Sequence, residues 1–147
     1  MPTGSTNGIA WIAAGTPDPE RPSLLFIHGA GGNSSAWWQQ FHAFSAHRHV
    51  VASDLAGFGQ SAPVPIGIDL SVAMVGAAVD VLAACGVGRA DVVCQSLGGW
   101  TGVRLALARP DLVSRLVLCC TLAGIAHPPG LVAFQKATSR MDARGPA

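Results

Sequence analysis

Short, almost continuously apolar runs recur along this chain, separated by segments long enough to be helices. Runs of this length without polar interruption are typical of strands that are buried on both faces, as in a parallel sheet. The runs, each bounded by turn-forming residues, are 23–29, 49–54, 91–96 and 114–121. A further strand is predicted at 8–14, ahead of a loop rich in Pro and Gly at 15–22.

The segments between the runs carry helix start and stop signals. They are residues 34–47, 70–85 and 97–108. Ser34, Asp69 and Ser96 stand at the three starts as capping residues. Gly86 follows the second segment and Pro110 follows the third, and both residue types end helices. The alternation of strand and helix predicts an α/β fold with a doubly wound, mostly parallel sheet and right-handed crossovers.

The composition describes one packed domain. Half of the 147 residues are hydrophobic, and the net charge is only +1, which gives no indication of a polyanionic partner and predicts no nucleic-acid partner. No apolar run reaches the length of a membrane span, so no membrane partner is expected. The start, MPTGSTNGIAWIAAG, lacks the basic and apolar regions of a secretory signal, so we expect a cytoplasmic protein.

The cysteines predict neither disulfides nor a metal site. None is part of a CxxC pair, and each sits within an apolar run, which is typical of buried thiols. They are Cys85, Cys94, Cys119 and Cys120.

Polar, glycine-rich segments follow three of the predicted strands. They read HGAGGN at 28–33, DLAGFGQS at 54–61 and QSLGG at 95–99. Functional residues of open α/β sheets gather at the carboxyl ends of the strands. The sequence therefore predicts a site at this edge of the sheet.

Ser96 stands where a strand turns directly into a helix. Such a turn pushes the hydroxyl out of the sheet and aims helix N-terminal amides at any oxyanion that forms beside it. The turn is strained, so the residues two before and two after the serine must be small, and here they are Cys94 and Gly98. A structural alternative is a serine N-cap followed by glycines that allow close helix packing.

These segments together resemble the α/β-hydrolase family. CQSLGG is similar to its nucleophile elbow GxSxG, with Cys94 where the first glycine usually stands. HGAGG is similar to its HGxGG oxyanion loop. The resemblance implies Ser96 as the nucleophile and the amides of Ala30 and Leu97 as oxyanion donors, with His28 and Gly29 supporting them.

DLAGFGQS resembles the DxxGxGxS segment of the same family. The resemblance implies that Asp54 and Ser61 brace a glycine turn, and that Asp54 is not the catalytic acid, because that acid follows the serine in the family. Trp37, Trp38, Phe58 and Trp100 are predicted to help line an apolar pocket.

A nucleotide-binding glycine loop is the alternative for HGAGG. A dinucleotide fingerprint needs a third glycine that this segment lacks, and the lysine of a phosphate-binding loop is absent as well. The resemblance implies no cofactor.

The base and acid that would activate Ser96 are not recognisable in the sequence. After Ser96 come only His127, Asp111 and Asp142, and none has the expected position. We expect the acid and histidine beyond residue 147. Residues 1–147 are thus predicted to be the N-terminal part of a single α/β-hydrolase domain, with a core at about 8–124 and the start of a lid, or a frayed tail, at 125–147.

The predicted function is that of a serine hydrolase fragment that acts on a carboxylic ester, a lactone or a related acyl substrate and is inactive alone. Serine at position 96 disfavours the epoxide hydrolases and haloalkane dehalogenases of similar fold, which place aspartate there. Two alternatives stay open: a C–C bond hydrolase or lyase, and a non-catalytic binding or assembly half-domain. The predicted strand 114–121 would be an uncovered apolar edge, which favours self-association.

Overall fold

A computed structural model describes residues 3–123, which form one mixed sheet with helices on both faces. The strands are β1 (Thr3–Thr6), β2 (Ile9–Ala14), β3 (Ser23–Ile27), β4 (Val50–Ser53), β5 (Ala90–Gln95) and β6 (Val113–Cys119). The helices are α1 (Trp38–Phe44), preceded by a 3-10 turn at Ser34–Trp37, α2 (Leu70–Ala84) and α3 (Leu97–Ala108).

The strand order is β1-β2-β4-β3-β5-β6. β4, β3, β5 and β6 run parallel, and β1 and β2 are added antiparallel on the β4 side. β3 lies in the centre, where Leu25 pairs with Val51 on one side and with Val92 on the other. The predicted mostly parallel sheet is confirmed.

Alternate residues of the central strands point to opposite faces and bury two separate layers. Leu24 and Phe26 pack with Phe41 of α1 on one face. Leu25 and Ile27 face α2 and α3 on the other. Helices therefore cover both faces, and the doubly wound arrangement is confirmed.

The amino-terminal part of the chain differs from the prediction in two places. β1 was not predicted, because its four residues TGST carry no apolar alternation. The first α-helix is shorter than the predicted 34–47. The 3-10 turn that precedes it is capped not by Ser34 but by Asn33, whose side chain accepts a hydrogen bond from the Ser35 amide at 3.0 Å.

Charged and polar groups are buried at the amino ends of the parallel strands. Asp91 is 6% exposed and forms ion pairs with Arg48 at 3.0 Å and Arg115 at 3.2 Å. Ser23 Oγ hydrogen-bonds to His49 Nδ1 at 2.9 Å. The sequence places three histidines on or after the first helix, which predicts solvated or helix-end positions for His42, His47 and His49. His42 and His47 are exposed, but the prediction is wrong for His49, because it immediately precedes β4 and packs against the start of β3.

A cavity of about 420 Å³ lies at the same edge of the sheet. It is lined by the loop 17–22, Ser23 and the turn 86–89 before β5. No helix in the described part, residues 3–123, is long and apolar enough to span a bilayer.

Candidate active site

Ser96 occupies the turn between β5 and α3 in a conformation that L-residues rarely adopt. Its φ is 50° and its ψ is −116°, a combination that costs about 1–3 kcal/mol and is found mainly at functional sites. The residue is exposed at the carboxyl end of β5. The strained strand-to-helix turn that the sequence predicts is therefore present.

The hydroxyl of Ser96 does not cap the helix. Although Ser96 occupies the N-cap position of α3, its side chain forms no capping hydrogen bond, and an ordinary cap has extended backbone. By contrast, Asp69 caps α2 with extended backbone and accepts hydrogen bonds from the amides of Ser71 and Val72. The N-cap interpretation of Ser96 thus does not fit its geometry.

Cys94 fits at the elbow because Gly102 faces it. Cys94 is fully buried, and a Cβ added at Gly102 of α3 would overlap its sulfur. Burial raises the pKa of the Cys94 thiol to about 12. The Cys94 thiol thus occupies the space next to the helix, and Gly102, which has no side chain, leaves room for it.

The glycine loop after β3 lies directly against the elbow. A Cβ added at Gly29 would be 2.9 Å from Ser96 Cβ, and one added at Gly98 would be 2.7 Å from the His28 carbonyl oxygen. The amides of Ala30 and Leu97, predicted as oxyanion donors, form no hydrogen bond to another group of residues 3–123. Within the described part of the chain, both amide donors are therefore without a partner.

His28 ties the loops after β3 and β4 together. It is fully buried; its Nδ1–H donates to the Gly29 carbonyl oxygen at 2.6 Å, and its Nε2 accepts from the Leu55 amide at 2.9 Å. Since both ring nitrogens are engaged, the imidazole orients the glycine loop and cannot serve as a base for Ser96.

Asp54 braces two loops through both of its carboxylate oxygens. Oδ1 accepts from the Ser34 amide at 2.6 Å and Oδ2 from the Gln60 amide at 2.7 Å. Ser61 Oγ donates to the Asp54 carbonyl oxygen at 2.9 Å and accepts from the Ala10 amide at 3.0 Å. Asp54 has the bonding pattern of the structural brace that the sequence predicts.

The aromatic residues predicted to line a pocket occupy different surroundings. Trp37 is only 9% exposed and packs on Phe26 in the layer beneath α1, so it belongs to the core. Trp38 is 64% exposed. Phe58 is half-buried with its ring edge-on to His28, and half-buried Trp100 is covered by the Arg104 guanidinium at 3.9 Å.

No acid and base beside Ser96 are found within residues 3–123. Asp111 lies between α3 and β6, at the opposite edge of the sheet, and pairs with Arg109 at 2.6 Å. His127 and Asp142 fall outside the described residues, as does the predicted lid segment 125–147. The same described residues contain no group of three His, Cys, Asp or Glu side chains that could hold a metal ion.

The four cysteines are free thiols, but they are not all buried. Cys94 is buried and Cys85 and Cys119 are half-buried, whereas Cys120 is exposed because it lies just beyond the end of β6. The prediction of a buried thiol is wrong for Cys120. Local sequence patterns also did not indicate two residues that contact the elbow: Gly102 in the second turn of α3 and Thr121 in the segment after β6.

A strained serine between β5 and α3, with a glycine loop after β3 packed against it, is typical of hydrolases with a doubly wound α/β fold. This chain belongs to the α/β-hydrolase fold family: the family model matches residues 22–143, which is most of the chain. The family assignment and the fold predicted from the sequence are confirmed.

Curated relatives carry hydrolase names. A putative carbamate hydrolase RutD from Caulobacter segnis is 34% identical over 122 residues, which cover 80% of this chain and 45% of that protein. An (E)-2-((N-methylformamido)methylene)succinate hydrolase from Acinetobacter baylyi is 31% identical over 99 residues, covering 67% of this chain and 37% of that protein. The chain thus spans less than half the length of either relative.

Solved structures show the same fold. A thermophilic esterase from Thermogutta terrifontis superposes with a TM-score of 0.73 at 26% identity, covering 99% of this chain and 53% of the esterase. An epoxide hydrolase from an endophytic Streptomyces gives a TM-score of 0.68 at 29% identity, covering 80% of this chain and 35% of that enzyme. The fold is therefore shared by hydrolases of more than one chemistry.

Proposed function

We propose that this chain carries the nucleophile of a serine hydrolase that acts on a carboxylic ester, a lactone or a related acyl group such as a carbamate. The observation that carries the proposal is the geometry of Ser96. Its hydroxyl is exposed and is not used as a helix cap, on a backbone in a rarely adopted, strained conformation. Strain retained at a strand-to-helix turn is typical of a nucleophile elbow.

The surrounding amides support acyl chemistry. Ser96 Oγ attacks the substrate carbonyl carbon, and the negative charge that develops on the carbonyl oxygen is held by the Ala30 and Leu97 amides. Each such donor is worth about 10²–10³ in kcat when it is preorganised. Water then releases the acyl group, with the proton transfers carried out by a histidine that an acid orients, both outside residues 3–123.

The relatives support the same class of substrate. The names of the carbamate hydrolase and the esterase both describe cleavage at a carbonyl carbon that bears a heteroatom. The epoxide hydrolase has the fold as well. A serine hydroxyl beside amide donors is nevertheless suited to a carbonyl substrate, because a negative charge develops on the carbonyl oxygen when the hydroxyl attacks.

Labelling with a fluorophosphonate tests the proposal on the complete protein. We expect one adduct by intact mass on the wild-type protein and on the control Ser114→Ala, whose residue lies near the start of β6, away from the elbow. Ser96→Ala should take up no label, because the probe reacts with the activated hydroxyl. A wild-type protein that stays unlabelled, or a label that persists in Ser96→Ala, contradicts the proposal and favours a non-catalytic binding or assembly role.

A further inference from the structure

We propose that Thr121, two residues beyond β6, is a positioning residue that holds the backbone of Ser96 in its strained conformation. Its hydroxyl donates to the Ser96 carbonyl oxygen at 2.5 Å. The importance of that bond for chemistry rests on the proposed function, whereas its importance for the backbone does not.

The backbone of Ser96 is held from both sides of its Cα by the same short segment. The Ser96 amide donates to the Cys119 carbonyl oxygen at 3.0 Å, and the Ser96 carbonyl accepts from Thr121. Rotation of either peptide unit flanking Ser96 would break one of the two bonds. The positive φ of a residue that carries a side chain is thereby fixed by partners outside its own strand and helix.

Thr121 is itself fixed in place. Its Oγ1 also accepts from the Ala123 amide at 3.0 Å, so the hydroxyl proton is directed to the Ser96 carbonyl. A Cβ added at Gly99 would lie 2.7 Å from Thr121 Cβ and would overlap its methyl and hydroxyl groups. The threonine therefore lies directly over the first turn of α3, and the second glycine of the elbow makes room for it.

The contact explains a feature that the helix alone does not require. The Ser96 carbonyl already accepts from the Gly99 amide at 3.0 Å, which is sufficient to start α3. The second donor, from Thr121, adds an anchor on the side of β6. Because the Leu97 amide belongs to the same peptide unit as the Ser96 carbonyl, holding that carbonyl also fixes the direction of the amide predicted to face the oxyanion.

Three variants of the complete protein test the role of the hydroxyl. Thr121→Val keeps the shape and removes the donor, Thr121→Ser keeps the donor, and Thr101→Val is the matched control. Thr101 is a buried threonine of α3 whose hydroxyl contacts Met74 Sδ at 3.4 Å, away from the elbow. The two readouts are hydrogen exchange in the peptide 94–99 and the rate of fluorophosphonate labelling.

We expect Thr121→Val to speed exchange in that peptide about fivefold, the scale of one lost hydrogen bond, and to slow labelling about tenfold or more, because small misplacements of a nucleophile are costly. Thr121→Ser should stay near the wild type in both readouts. Thr101→Val should leave both unchanged relative to the rest of the sheet.

Exchange in 94–99 that is unchanged in Thr121→Val, or that rises no more than in the rest of the chain, would overturn the inference. A wild-type protein that is not labelled at Ser96 would instead sink the proposed function. The exchange measurement would still decide the role of Thr121 in that case.

Discussion

His49 shows how a single buried side chain makes the fold sensitive to pH. It is 7% exposed, and its ring is bonded to Ser23 Oγ at the amino ends of β3 and β4. Burial lowers the pKa of His49 below its ordinary value near 6.5, because desolvation disfavours the imidazolium ion.

The unfolded chain therefore takes up a proton at this site at a higher pH than the folded chain does. The contribution of neutral His49 to the free energy of unfolding is complete above pH 6.5. It falls as the pH drops below that value toward the lowered pKa of the folded state. We expect the free energy of unfolding, measured with urea and tryptophan fluorescence, to decrease between pH 7 and pH 5. His49→Gln should flatten this dependence, whereas exposed His42→Gln should not; an equally steep decrease in His49→Gln would contradict the assignment.

The central strands were predicted because a strand buried on both faces is apolar throughout, a property visible in a short window. β1 was not, because the strand depends on its pairing with β2 and on the packing of Trp11 over Gly4. The sequence shows the residues but not that contact.

In the candidate site, too, some residues could be predicted from local sequence and others could not. Ser96, the glycine loop and Asp54 were predicted from segments that lie at strand ends. Cys94 fits at the elbow only because Gly102 of α3 has no side chain. The Ser96 carbonyl is held by Thr121, which lies in the segment after β6. Such pairs are set by how elements pack, so a single sequence does not reveal them.

At the scale of elements, α3 and β5 are fitted to each other through one sulfur atom. Alanine in place of a helical glycine ordinarily stabilises by about 1 kcal/mol. At Gly102 the added methyl would overlap Cys94 Sγ and lie 3.2 Å from Leu116 Cδ1, and overpacking a core costs about 1–3 kcal/mol. We expect Gly102→Ala to lower the free energy of unfolding by about 1–2 kcal/mol.

A double-mutant cycle separates the two effects. In the Cys94→Ala background the sulfur is gone, so Gly102→Ala should be neutral or stabilising in urea unfolding. Gly76→Ala in α2, where nothing lies within 4 Å of the added methyl, is the matched control and should stabilise in both backgrounds. Equal costs for Gly102→Ala with and without the sulfur would show that the fit between Cys94 and Gly102 is unimportant.

At the scale of the whole molecule, β6 has a neighbour on one side only among residues 3–123. Within that described part, no strand pairs with the backbone groups on its outer side, and Val117 and Leu118 on its two faces are 48% and 44% exposed. Edges of this kind promote pairing with another chain. We propose that a protein consisting of these 147 residues associates with a second copy through β6.

Light scattering checks this proposal. We expect a mass above that of the monomer for the 147-residue chain, and a shift toward the monomer in Val117→Lys, because a charged side chain on an edge strand opposes pairing. Leu107→Lys, at a 78% exposed position of α3, is the matched control and should leave the mass unchanged. A monomeric wild-type chain, or an unchanged mass in Val117→Lys, would contradict self-association through this strand.

The loop 17–22 and the cavity it helps to line lie at the amino ends of β3 and β5, whereas Ser96 stands at the carboxyl end of β5. The full length of the strand separates the two. A linker or affinity tag inserted in this loop would tether the molecule to a solid support with Ser96, the proposed nucleophile, turned toward the solution. The direction of the parallel strands thus provides a ready orientation for immobilising the protein.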